Sequence, residues 1–321
     1  MRKINLVYIL IIFISCERDE IAIEKHPMGT IVKQQINMGS DYSQQIFYNT
    51  SQDIVVSSNT KDDWDLGFSS SKNSSEIIIN SSTFSQISEI ENHLFENPIS
   101  TTDLTWRWDN PKGVYYGVAF NNPKSSSTYV IDRGYNLDGS SRGYRKIRID
   151  SITNISYFIT YAKLDNTEIN NIEIKKDSLF NFQYFSFKNN NIVNIAPEKD
   201  NWDLVFTQYT HLYTDNIETP AYLVTGVLTN YLNNVLVTKD SINSFEKINI
   251  NMIADYQFSD NQDEIGYNWK TFDFDNQVYS IKSGITYVIK DVTNRYFKMR
   301  FTDFYNDIGE KGHPKFEIQE L

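Results

Sequence analysis

The side chains that could do chemistry in this chain are few, and they lie far apart in the sequence. There is one cysteine, Cys16, and there are four histidines, His26, His93, His211 and His313. No His-Glu-x-x-His pair, phosphate-binding loop or Gly-x-Gly-x-x-Gly turn occurs. One cysteine cannot form a cysteine-based zinc cluster. The sequence therefore predicts no catalytic site and no metal site, and indicates a non-enzymatic binding protein.

Composition narrows the classes of fold and partner. The 321 residues carry 30 basic and 41 acidic side chains, a net charge of −11, which argues against nucleic acid as a partner. The chain is 40% hydrophobic and 14% aromatic, which is typical of a globular protein. Long stretches rich in Asn, Ser, Thr, Tyr, Ile and Val favour strands and turns over helices.

The N-terminus resembles the signal of a bacterial lipoprotein. Arg2 and Lys3 precede the nine apolar residues Leu6–Ile14, a run too short to span a bilayer, which needs about 20. Cys16 follows at once, although Phe13 stands where the usual pattern has Leu or Val. We expect the signal to be removed and Cys16 to carry lipid.

Further expectations follow from this signal. Residues 1–15 are the predicted signal peptide, and residues 16–40 are interpreted as a tether because they show little periodic apolar pattern. The acidic residues 17–20 resemble those that direct lipoproteins to the cell surface in the Bacteroidetes. The predicted location is the outer membrane, anchored by lipid and facing outwards.

The remainder of the chain contains an internal repeat. Residues 45–68 align without a gap on residues 183–206, with ten identities in 24 positions, including Trp64-Asp65 with Trp202-Asp203. Two later blocks recur in the same order. They are Thr-Tyr-Val-Ile at 128–131 and 286–289, and Tyr-x-Lys-x-Arg at 144–148 and 296–300. Three collinear matches indicate two copies of one module, 41–175 and 176–321.

The repeated blocks have the alternation of strands. In Tyr296–Phe301 the apolar side chains Phe297, Met299 and Phe301 share one face. Gly309 and Gly312 then supply the turn of a hairpin. The predicted fold is all-β, with two tandem, homologous, mostly antiparallel modules. Because the Trp-Asp pair occurs in both copies, we interpret it as a buried structural element rather than a ligand platform.

The second module resembles the HmuY family of haem-binding lipoproteins. The residues that carry the resemblance, over most of 180–321, are Gln183–Phe187, Val193-Asn194, Asn201-Trp202-Asp203, Tyr209, Lys298, Phe301–Phe304, Lys311-Gly312 and Phe316. The resemblance implies an all-β fold, a lipid anchor in the outer membrane, haem as ligand and transfer of that haem to a membrane receptor. The first module matches more weakly.

The family's two haem-ligating histidines do not carry over. One follows the Trp that aligns with Trp269, where this chain reads Lys-Thr-Phe-Asp-Phe-Asp at 270–275, and the stretch before Trp269 has no histidine. Haem iron also accepts Met or Tyr, so the candidate ligands are His211 and Met252. The alternative is a binding protein of the same fold for another ligand, such as a polysaccharide or a protein partner.

Overall fold

The computed structural model describes residues 28–120, 122–213 and 220–321. The predicted signal peptide, Cys16 and His26 lie outside these residues. The described chain contains 20 strands, five short 3-10 helices and no α-helix, so the all-β prediction is confirmed. None of the helices in the described ranges has the length and apolar character needed to cross a bilayer.

The strands are β1 (Val32–Gln35), β2 (Gln44–Asn49), β3 (Ile54–Thr60), β4 (Leu66–Ser69), β5 (Ile77–Ile79), β6 (Gln86–Glu91), β7 (Ser127–Asp132), β8 (Tyr144–Ile152), β9 (Ser156–Ala162), β10 (Asn170–Lys175), β11 (Phe182–Ser186), β12 (Asn191–Val193), β13 (Leu204–Leu212), β14 (Ala221–Thr229), β15 (Leu236–Asp240), β16 (Lys270–Asp273), β17 (Val278–Ile281), β18 (Thr286–Lys290), β19 (Tyr296–Tyr305) and β20 (Lys311–Glu320). The 3-10 helices are Ser81–Thr83, Val114–Tyr116, Lys199–Asn201, Tyr231–Asn233 and Ile250–Asp255.

The sheets combine strands from both halves of the chain. Two five-stranded sheets have the orders β1-β20-β19-β18-β15 and β10-β9-β8-β7-β6. Two four-stranded sheets have the orders β12-β11-β4-β5 and β14-β13-β2-β3, and β16 and β17 form a hairpin. Every pair of neighbouring strands is antiparallel. The first two strands of each repeat, β2-β3 and β11-β12, thus complete sheets whose other strands belong to the opposite repeat.

Two hydrophobic cores follow from this exchange. One core lies within the continuous segment from Leu66 to Phe187, which includes β4 to β11. The other joins Ile36–Tyr48 to residues between Leu204 and Ile318. The boundary that we predicted near residue 175 falls between β10 and β11, so it marks the sequence repeat, whereas the two cores divide the chain elsewhere.

The predicted tether was wrong for its last residues. β1 pairs with β20 along Val32–Gln35, and the side chains of Ile36 and Met38 are 1% exposed in the second core. This strand reads Val-Lys-Gln-Gln, and its alternate side chains face solvent. An edge strand of four residues with one apolar side chain gives little periodic signal, which is why the sequence did not reveal it.

Both Trp-Asp pairs are buried, as predicted, and each carboxylate contacts the other half of the chain. Trp64 and Trp202 are each 6% exposed, and Asp65 and Asp203 at most 1%. Asp65 accepts the backbone N–H of Phe187 at 2.7 Å. Asp203 accepts the backbone N–H of Thr50 at 2.7 Å, and it also accepts the Thr50 hydroxyl. The pairs therefore bind the exchanged strands to the body of each core.

The charges around the two carboxylates differ. Arg133 donates to Asp65 through Nε at 2.9 Å, and Arg142 lies 3.0 Å from the same oxygen. Asp203 makes no ion pair in the described residues, and its further partner is the backbone N–H of Val292 at 2.9 Å. Burial without a cation raises the pKa of Asp203. The first carboxylate is therefore held by charge, and the second by neutral donors.

A repeated asparagine supports each pair. The side-chain amide of Asn80 donates to the carbonyl oxygens of Lys61 and Trp64, each at 2.8 Å. Asn230 donates to Lys199 and Trp202 in the same way, each at 2.8 Å. These carbonyls belong to the turns before β4 and β13, so each asparagine fixes the Trp-Asp turn of its own half.

The repeated lysines of the Tyr-x-Lys-x-Arg blocks are also buried. Lys298 is 1% exposed and donates to the carbonyl oxygens of Phe245 and Ile248 at 2.7 and 2.8 Å. Lys146 donates in the same way to Phe95 and Asn97. Burial lowers the pKa of Lys298. These blocks therefore close the loop that follows β6 or β15, a role that strand alternation alone did not indicate.

Exchanging each buried aspartate for asparagine tests the difference between the two halves. Asp65→Asn leaves two buried guanidinium groups without an anion, and we expect it to lower the free energy of unfolding by ~3–5 kcal/mol. Asp203→Asn removes a carboxylate that has no cation and leaves one backbone donor without an acceptor, so we expect a loss of ~1–2 kcal/mol. Urea unfolding at neutral pH measures both. Equal losses would show that the arginines do not set the strength of the first pair.

Candidate functional site

The neighbourhood of Trp269 is filled by this chain's own side chains. The indole ring stacks on Phe301 with ring centres 3.8 Å apart, and its N–H donates to the carbonyl oxygen of Gly266 at 3.1 Å. Trp269 is 2% exposed in the second core. The family resemblance places one haem ligand just after this residue, but here the space around the indole is packed core.

Lys270, the next residue, is enclosed by rings. Its Nζ lies 4.2 Å from the ring centre of Trp269, 4.8 Å from that of Phe304 and 5.6 Å from that of Tyr279. It donates to the carbonyl oxygen of Thr225 at 2.5 Å. Burial lowers the pKa of Lys270 to about 7, while the ring faces attract the ammonium and act in the opposite direction. The sequence shows that no histidine stands at this position, but it did not indicate that Lys270 is buried.

His211 lies near the end of β13 beside two tyrosines. Its imidazole centre is 5.1 Å from the ring of Tyr213 and 5.0 Å from that of Tyr267, both at steep angles. Nδ1 makes no hydrogen bond within the described residues, and an oxygen of Asp263 lies 4.0 Å away. The side chain is 23% exposed. Burial lowers the pKa of His211, partly offset by the Asp263 carboxylate, so the imidazole is neutral at pH 7.

A glycine allows the segment that carries Tyr267 to reach this place. Gly226 lies on β14, and a Cβ there would stand 2.4 Å from the carbonyl oxygen of Gly266. Val227 and Gly266 exchange backbone hydrogen bonds of 3.0 Å in both directions. Only glycine permits this approach, and it holds Asp263 and Tyr267 against the sheet that contains His211.

Met252, the other predicted ligand, lies in a different environment. It belongs to the 3-10 helix Ile250–Asp255 and packs against the small cluster formed by Ile248, Val288 and Leu321. None of these residues is a neighbour of His211 in the contacts described above. The two candidates therefore stand as separate predictions rather than as an assembled pair.

The remaining described histidines have structural surroundings. The first of these is His313. It lies on β20, is 7% exposed, and its Nδ1 is 3.1 and 3.0 Å from the carbonyl oxygens of Glu310 and Lys311. His93 follows β6 and is half-buried; its carbonyl oxygen accepts the hydroxyl of Thr128, and its Nδ1, like that of His211, makes no hydrogen bond within the described residues.

One serine motif proves to be a turn. Residues 139–143 read Gly-Ser-Ser-Arg-Gly, which has the Gly-x-Ser-x-Gly spacing of a hydrolase nucleophile. Here it lies between antiparallel β7 and β8, with no helix following, and Ser141 is exposed opposite Tyr135. Its effect is to bring Arg142 to Asp65. The described residues contain no group of three or more His, Cys, Asp or Glu arranged for a metal ion.

Replacing Lys270, whose amine is enclosed by aromatic rings, tests whether burial or the ring contacts determine its pKa. The unfolded-state pKa of lysine is about 10.4, so the folded state binds the proton of Lys270 less tightly than the unfolded state does. Stability should therefore fall as the pH decreases from about 10 to about 7. At pH 7 the free energy of unfolding of Lys270→Met should exceed that of the wild type by a few kcal/mol, and at about pH 9.5 the difference should be smaller. Lys188→Met, at an exposed lysine, is the control, and a pH-independent difference would contradict the lowered pKa.

The comparisons with known proteins give one family match and several similar solved structures. A model of the HmuY protein family matches residues 178–318. No curated protein matches the chain significantly. Apo PinO from Porphyromonas gingivitis superposes with a TM-score of 0.31 at 7% identity, covering 91% of this chain and 97% of PinO. An apo HmuY analogue from Tannerella forsythia superposes with a TM-score of 0.26 at 11% identity, covering 92% of this chain and 99% of the analogue.

A third similar structure is described as a candidate HmuY-like heme binding protein from Bacteroides vulgatus. It superposes with a TM-score of 0.24 at 16% identity, covering 50% of this chain and 82% of that protein. The matched family region begins before β11 and ends within β20, so it includes His211, Trp269 and the Tyr-x-Lys-x-Arg block at 296–300. The sequence of residues 178–318 is thus similar to the HmuY protein family.

Proposed function

We propose that this chain is a lipid-anchored, non-enzymatic binding protein of the outer membrane that takes up haem or a related porphyrin and delivers it to a membrane receptor. Its haem site lacks the family's pair of histidines. His211 is the axial ligand that the chain offers. The match of residues 178–318 to the HmuY family model supports the general role of a ligand-binding protein.

The observation that carries the proposal is the state of the His211 imidazole. The ring is partly exposed, and its Nδ1 is buried and makes no hydrogen bond within the described residues. The lowered pKa favours the neutral ring, which carries on one nitrogen a lone pair that iron can accept. The rings of Tyr213 and Tyr267 stand within about 5 Å and give a porphyrin apolar surface to pack against.

Among the described residues, no second imidazole contacts that of His211. The Nδ1 of His313 lies against two carbonyl oxygens, and His93 follows β6 in the first half of the chain. We therefore expect haem with one histidine and either an open position or a weaker partner such as Met252. Affinity then depends mainly on burial of the porphyrin.

Haem titration of the mature protein tests this proposal. The expected result is a Soret shift that saturates at one haem per chain, without the low-spin spectrum of two imidazoles. His211→Ala should weaken binding about tenfold or more, because it removes the axial bond, whereas His93→Ala should bind as the wild type does. Binding should also weaken as the pH falls, since protonation of His211 competes with iron.

Three outcomes would change this account. A flat titration would favour the alternative, a protein of this fold with another ligand. A bis-imidazole spectrum from the monomer would show that a second histidine reaches the iron. Loss of affinity in Met252→Ala, with the fold intact by circular dichroism, would restore Met252 as the partner of His211.

The anchor rests on Cys16, which lies outside the described residues. Arg2, Lys3 and the apolar run before it support cleavage and lipidation. Removal of the signal leaves 28 basic and 41 acidic residues, a net charge of −13. Mass spectrometry of the native N-terminus should find a diacylglyceryl group on Cys16. A Cys16→Ser protein that still partitions into membranes as the parent does would contradict the anchor.

A further inference from the structure

A small cavity lies where strands of the two halves meet. Its volume is about 100 Å³, and it is partly open to solvent. Seven aromatic side chains from both halves line it, namely Phe47, Trp64, Phe182, Tyr184, Trp202, Tyr209 and Tyr231. A cavity of about 150 Å³ holds a benzene molecule. This cavity therefore has room for most of one six-membered ring, with the remainder at its mouth.

Two buried donors that line the cavity have no acceptor. The indole N–H of Trp202 and the hydroxyl of Tyr209 make no hydrogen bond within the described residues, although Trp202 is 6% exposed and Tyr209 1%. A buried donor without an acceptor is unfavourable, and natural proteins contain few. An oxygen-bearing ligand in the cavity would remove this cost.

The repeat supplies an internal comparison. The indole N–H of Trp64, the counterpart of Trp202, donates to Oε1 of Gln45 at 3.2 Å. Gln183, the counterpart of Gln45, makes no such bond with Trp202. The first half thus satisfies its tryptophan internally, while the second half leaves the equivalent N–H free beside a cavity.

The lining selects against charged ligands. None of the described residues that line the cavity is Lys, Arg or His. Its acidic residue, Asp109, already accepts the backbone N–H groups of Ile79 and Ala119 at 2.8 and 2.7 Å. The other polar lining consists of hydroxyl and amide groups, from Gln45, Ser81, Ser82, Asn110, Thr207, Thr210 and Gln262. An anion would find no counter-charge here, whereas a hydroxylated ring would find both ring faces and hydrogen-bonding groups.

We infer that this cavity binds one neutral sugar ring, either free or at the end of a glycan, with the Trp202 indole and the Tyr209 hydroxyl donating to its oxygens. The inference is independent of haem binding, because His211 does not line the cavity. It assigns ligand chemistry to the junction between the repeats, where the sequence predicted only packing.

Titration followed by NMR tests the inference on the full mature chain. The probes are glucose, galactose, mannose and N-acetylglucosamine at millimolar concentration, with glucuronate as the charged comparison. The Trp202 indole resonance should shift in a saturable way with at least one neutral sugar, and glucuronate should bind more weakly. The indole resonance of Trp106, which does not line the cavity, serves as the reference.

Two variants remove the donors while keeping an aromatic ring at each position, although the phenyl ring at position 202 is smaller than the indole. Trp202→Phe and Tyr209→Phe should each weaken sugar binding by roughly three- to tenfold, the usual effect of one neutral hydrogen bond. Because the Tyr209 hydroxyl has no partner in the described residues, Tyr209→Phe should unfold at the wild-type urea midpoint. Trp106→Phe is the control and should bind sugar as the wild type does.

The inference is overturned if no neutral sugar shifts the Trp202 resonance, which would leave the cavity to water. It is also overturned if glucuronate binds as tightly as the neutral sugars, or if both donor variants keep wild-type affinity. None of these results depends on the outcome of the haem titration.

Discussion

The contact on which the rest of the structure depends is the buried carboxylate of Asp65. It accepts the backbone N–H of Phe187 from the other half of the chain while Arg133 and Arg142 balance its charge. Asp203 makes the equivalent contact with Thr50. Because the first two strands of each repeat complete sheets of the other, these two carboxylates hold together cores that neither repeat forms alone.

The two halves are related in sequence but differ in what they leave free. In the first half, two arginines form ion pairs with the Asp65 carboxylate, and the Trp64 indole donates a hydrogen bond to Gln45. The second half has neither compensation, and it contributes His211 and the unpaired Trp202 indole. A duplicated fold can be stabilised by one copy while the other copy retains exposed or unpaired polar groups. The proposed ligand contacts of His211, Trp202 and Tyr209 all lie within the matched family region.

The sequence predicted the all-β fold and the burial of both tryptophans, because strand alternation and repetition depend on neighbouring residues. It could not predict the strand exchange, since a repeat shows which residues are equivalent and not which copies pair. The Asn80 and Asn230 pair escaped notice because it is separated by 150 positions, whereas the Trp pair is separated by 138. Burial of His313 and Lys270 depends on distant strands, so the local sequence carried no sign of it.

Fragment folding tests the central claim, that each core needs strands from both repeats. Residues 61–195 contain the first core with β11 and β12, whereas residues 41–175, of equal length, follow the sequence repeat and lack both strands. We expect fragment 61–195 to unfold cooperatively in urea and fragment 41–175 to show no cooperative transition. Cooperative unfolding of fragment 41–175, with no transition for fragment 61–195, would contradict the exchange.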